Sequence, residues 1–74
     1  MSPSLLYEIG HALYGDGWTS AMAADLGMAN DRTIRRIMAG KTEMSPRFDT
    51  SVPVLIDLRI NQLRVLRTKV EQGD

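Results

Sequence analysis

Cysteine is absent from this 74-residue chain, and histidine occurs once, at His11. Without thiols there is no disulfide framework and no thiolate metal site, and a single imidazole cannot build a two-histidine metal motif. No apolar run approaches the roughly 18 residues that a membrane span needs. Met1-Ser2-Pro3-Ser4 lacks the basic lead and apolar core of a secretory leader. There is no phosphate-binding loop, no Gly-rich dinucleotide fingerprint and no Ser-His-Asp set for His11 to serve. Enzymatic chemistry is therefore disfavoured. No cofactor, metal or small-molecule ligand is expected, no membrane partner is expected, and a cytoplasmic location is. What remains is 43% apolar and 24% charged, the composition of one small globular domain spanning residues 1–74. So small a core supplies little net stability, which favours a partner or a dimer interface.

Net charge is zero only by cancellation. Residues 1–31 hold Glu8, Asp16, Asp25 and Asp31 and no Lys or Arg. Residues 32–47 hold Arg32, Arg35, Arg36, Lys41 and Arg47 against Glu43 alone. A compact cationic block beside an anionic one points to a basic surface aimed at an anionic partner, or else to a solvated helix face.

The pattern along the chain is helical throughout. Leu5, Leu6, Ile9 and Leu13 form one stripe of a first helix over 4–14, capped by Ser4 and ended by Gly15-Asp16-Gly17. A second helix over 19–26 has Thr19 as cap and Trp18 as a staple or core residue. Met22, Ala23 and Leu26 lie inward, and Gly27 is the stop. A third runs from Asn30 or Asp31 to Ala39, with Ile34, Ile37 and Met38 inward and Gly40 as its end. Residues 41–50 read as a loop because of Ser45-Pro46 and Asp49-Thr50. A last helix covers 51–72, with Pro53 in its first turn. His11 is expected at the surface or an interface.

Two short helices joined by a glycine turn, the second of them basic, make a helix-turn-helix pattern over about 19–39. Ala23 is small where the helices cross, Gly27 permits the tight turn, and Ile34 anchors the second helix. With Ile34 and Ile37 inward, Arg32, Thr33, Arg35 and Arg36 project outward. A helix presented this way fits the major groove, where Arg can donate two hydrogen bonds to guanine O6 and N7.

Met22-Ala23-Ala24-Asp25-Leu26-Gly27-Met28, followed by Asp31-Arg32-Thr33-Ile34-Arg35-Arg36-Ile37-Met38-Ala39-Gly40, resembles the Cro/repressor-like (xenobiotic response element type) helix-turn-helix regulators. Ala12-Leu13-Tyr14-Gly15 and Trp18 are similar to that family's first helix and loop. The resemblance covers about residues 5–40. It implies an all-α, lambda repressor-like fold of about four helices, specific binding to a double-stranded DNA operator, transcriptional control and a homodimer. Carried over, Asp31, Arg32, Thr33, Arg35 and Arg36 fall at base-reading positions. Ser20, Asn30, Lys41 and Arg47 fall at phosphate-contacting ones. One departure stands out: Gly27 to Ile34 is seven residues rather than the usual six, so Met28-Ala29-Asn30 makes a longer turn.

The last helix carries two apolar stripes, Ile56-Ile60-Leu63-Leu66-Val70 and Val54-Leu58-Val65, and a small core covers only one. Symmetric pairing of this helix with its copy would bury both, making Ile56, Leu58, Ile60, Leu63, Leu66 and Val70 the dimer interface. Alternatively the helix bends over its own core and buries both stripes itself. Two functions compete: a homodimeric repressor of bacterial or phage type that reads an inverted repeat, and a protein-interaction adaptor or inhibitor that keeps the fold without binding DNA.

Overall fold

The computed structural model describes residues 1–73. Four helices follow one another: α1 (Pro3–Tyr14), α2 (Trp18–Asp25), α3 (Arg32–Met38) and α4 (Pro46–Glu71). No strand occurs among the described residues, and the fold is all-α. No helix is long and apolar enough to cross a membrane.

The N-terminal turn of α1 differs from the sequence expectation by two residues. Pro3 occupies the first turn, where its missing N–H costs nothing, and the Ser2 hydroxyl rather than Ser4 accepts from the Leu5 amide at 3.1 Å. Leu6 and Leu13 are buried and Ile9 packs against them, while Leu5 stays 44% exposed. The start of α2 also differs. Gly17 caps it at φ +74 with no side-chain bond, and Trp18 is already helical and 5% exposed. Thr19 is free for another use, described below.

Helices α1 and α2 meet at a point that no local sequence signal marks. A Cβ on Gly10 would lie 2.1 Å from the Trp18 ring, so only glycine lets the indole reach the backbone of α1. Ala23, read as the small crossing residue, is buried at 2% exposure. Tyr7 meets the indole edge-on, with centroids 6.2 Å apart, and the His11 ring lies tilted beside Tyr7 with centroids 4.3 Å apart. The Tyr14 hydroxyl donates to Asp25 across the same pair of helices at 2.6 Å. Partial burial, then the Asp25 carboxylate, pushes the Tyr14 phenol up to about 12.

Gly27, at φ +75, ends α2 with its N–H on the Ala24 carbonyl, and the Met28 N–H reaches Ala23. The chain then turns through residues 28–31 into α3, whose Ile34 and Ile37 are fully buried.

The largest difference from expectation is at α4. It begins at Pro46 instead of Ser51, so the loop spans only 41–45 and half of the expected loop is helix. Ser45-Pro46 is turn chemistry that also opens a helix, since proline suits the first position. Pro53 therefore sits two turns in. It is exposed, so the Asp49 carbonyl it deprives of a partner faces water. The extra turns matter, because Phe48, Val52 and Leu55 close the core beneath α1–α3. The Arg59 guanidinium donates to the Leu13 carbonyl at 2.7 Å and ties α4 to the end of α1.

Beyond Ile56 the helix leaves the core. It does not bend back, and residues 57–73 are all exposed. The molecule measures 49 × 21 × 21 Å with a radius of gyration of 14.2 Å. A compact chain of this length would have about 11 Å, and the projecting half of α4 accounts for the excess.

Candidate nucleic-acid interface

Helix α3 is short, and its orientation is set by its back. Ile34 is 0% and Ile37 1% exposed, so the other sides of α3 face solvent. Arg32, Thr33, Arg35 and Arg36 are all exposed there. Arg32, Arg35, Arg36 and Lys41 line one shallow depression with Asn30 and Asp31 at its edge. The structure thus brings together six of the nine residues singled out for base or phosphate contact. Thr33 lies on the same helix outside the depression. Ser20 borders it through Asp31. Arg47 does not line it.

Several of these side chains have partners within the chain, which refines what each can do. Asp31 was expected to face bases. Its carboxylate instead accepts from the Thr19 hydroxyl at 2.7 Å, the Ser20 hydroxyl at 3.2 Å and the Arg35 Nε at 2.8 Å, all on one oxygen, and its side chain is only 14% exposed. Foremost the Thr19 hydroxyl, then the Arg35 guanidinium and Ser20, hold this carboxyl below the usual carboxylate range against the opposing effect of desolvation. Asp31 is a brace between the first turn of α2 and α3. It engages only the Nε of Arg35, which leaves the two terminal nitrogens, a fork that can pair with guanine, unused by the brace.

Ser20 has spent its one hydroxyl proton on Asp31. A phosphate contact there falls to its backbone N–H, one of the unpaired donors in the first turn of α2. Asn30 accepts from the Arg32 amide at 3.0 Å and so satisfies the first N–H of α3, while Asp31 stands at the cap position with no side-chain cap bond. Arg36 donates through Nε to the Thr42 hydroxyl at 3.3 Å, which steers it across the end of α3. Arg47 donates to the Leu26 carbonyl at 2.9 Å, closing α2 from the side of α4. Four of its five N–H donors stay free.

Thr19 and Thr42 were not among the expected residues. No sequence signal marks them, since Thr19 meets Asp31 across twelve positions only once α2 and α3 cross.

Of the residues expected at a dimer interface, Ile56 packs partly against the core. Leu58, Ile60, Leu63, Leu66 and Val70 are 41–75% exposed, as are Val54 and Val65. No family model, curated protein or solved structure matches this chain. What the surface can do therefore rests on its geometry: a row of guanidinium groups around a shallow, solvent-open depression, whose forked donors can pair with a planar or phosphate-bearing anion.

Proposed function

We propose that this protein is a helix-turn-helix transcriptional regulator of the lambda repressor-like type. In this reading it binds a double-stranded DNA operator as a homodimeric repressor. One observation carries the proposal: Arg32, Arg35 and Arg36 stand exposed on a helix anchored by two fully buried isoleucines. Helix α3 enters the major groove. Arg32 and Arg35 reach base edges with help from Thr33, Arg36 reads a base or binds phosphate, and Lys41, Arg47 and the amides at Ser20 hold the backbone. Asn30 and Asp31 act from behind, fixing the helix start and the Arg35 fork. The exposed apolar side of α4 supplies the dimer contact.

Selection of bound duplexes from a random pool tests the reading. A symmetric site is the expected product. Arg35→Ala should lower discrimination at one base pair per half-site by about ten- to a hundred-fold and leave stability within about 0.5 kcal/mol. If four cations per subunit meet phosphates, a dimer loses roughly ten-thousand-fold in affinity from about 50 to about 200 mM salt. A folded dimer that selects no sequence and shows no such slope would instead be the adaptor. Light scattering of Leu63→Glu beside the unaltered chain checks the oligomer: the variant should fall to half the mass.

A further inference from the structure

The projecting half of α4 does more than expose apolar side chains. With the ends of α1 and α2 it walls a trough of about 700 Å³, floored by Leu55, Leu58, Gln62 and Leu66 and bordered by Tyr14, Asp25 and Arg59, whose guanidinium is held by the Leu13 carbonyl. The trough is long and open, the form of a helix seat rather than of a small-molecule pocket. We infer that its occupant is the α4 of a second copy, lying antiparallel with the twofold axis at Gln62, so that each helix tail rests on the other copy's α1–α2 end.

Three observations fix this arrangement. First, two pairs of exposed apolar residues on α4 are placed symmetrically about Gln62. Leu58 and Leu66 lie four residues to either side, and Val54 and Val70 eight. Antiparallel pairing about that point sets Leu58 against Leu66 of the copy, with Gln62 facing Gln62, whose amide can both donate and accept. Second, charge is complementary only in this sense. The tail of α4 carries Arg64, Arg67 and Lys69 against Glu71, whereas residues 1–31 contain no Lys or Arg. Lys69 shares the trough-facing side with Leu55, Leu58 and Gln62 at helical spacing. Its aliphatic stem covers the copy's Leu55, and its ammonium reaches Asp25 at the rim. A parallel pair would gather both sets of cations at one end. Third, the spacing suits a duplex. Val52, which fixes each helix to its core, lies ten residues before Gln62. At about 1.5 Å per residue the two anchors sit about 30 Å apart along the helices, close to the roughly 34 Å between successive major grooves on one side of DNA. Only this last point depends on the DNA-binding reading.

The chain has no cysteine, so single introduced thiols report the geometry cleanly. Gln62→Cys should form a disulfide-linked dimer under mild oxidation. Val70→Cys should not, because its two copies lie about 24 Å apart along the antiparallel pair. A mixture of Leu58→Cys and Leu66→Cys should cross-link to each other in preference to themselves. Lys69→Asp and Asp25→Lys should each raise the dimer dissociation constant about two- to five-fold, and the double exchange should restore it. Circular dichroism confirms helix content for each variant. Efficient linkage of Val70→Cys overturns the antiparallel seat while leaving a dimer. A monomer at every concentration overturns the seat and the homodimer together. All of these measurements are made without DNA, so loss of duplex binding is a separate outcome.

Discussion

The two halves of α4 have the same kind of sequence and opposite surroundings. From Pro46 to Ile56 its apolar residues sit at 3- and 4-residue spacing and disappear into the core, with Val52 at 0% and Leu55 at 7% exposure. From Asp57 onward the spacing continues through Leu63, Leu66 and Val70, and nothing in the same chain covers them. Periodicity tells which side of a helix wants to leave water. It does not tell whether the chain itself or something else will provide the cover.

Truncation separates the halves most sharply. Leu55→Ala should cost about 2–4 kcal/mol in urea unfolding at low concentration, from lost transfer energy and the cavity left behind. Leu66→Ala should cost under about 0.5 kcal/mol under the same conditions, while weakening self-association. Equal losses for the two would mean that the tail is not free in the monomer. The junction comes next: Arg59→Met should cost about 1 kcal/mol by orphaning the Leu13 carbonyl, with the helix content of the tail unchanged. The smallest effect concerns pH within the α1–α2 pair alone. Since the folded Tyr14 phenol is pushed up to about 12, stability is complete below its ordinary pKa near 10 and is lost as pH rises toward 12. Tyr14→Phe should flatten that alkaline slope in a pH series of melting curves. The opposite sense holds for Asp31, whose lowered pKa places its loss on the acid side, below about pH 4.

Much of the α2–α3 region was legible because its signals are local. Gly27, Ile34, Ile37 and Gly40 each declare a turn or an inward position within four residues of their neighbours, and the structure places all four as read. The start of α4 was not, because Ser45-Pro46 signals a turn and a helix opening equally, and only the burial of Phe48 and Val52 decides between them. Gly10 was silent, since a glycine inside a helical stripe gives no hint of the indole that will lie on it. At the candidate site the exposed arginines followed from the buried isoleucines. The Asp31 brace did not, because two of its three partners, Thr19 and Ser20, reach it only through the crossing of two helices.

The contact between Gly10 and Trp18 has a practical side. Trp18 is the chain's one tryptophan, and it is sealed between α1 and α2. Its emission is therefore a built-in gauge of whether that seam is shut. Fluorescence follows the opening of that seam, hydrodynamic size follows association, and the two read together tell one from the other.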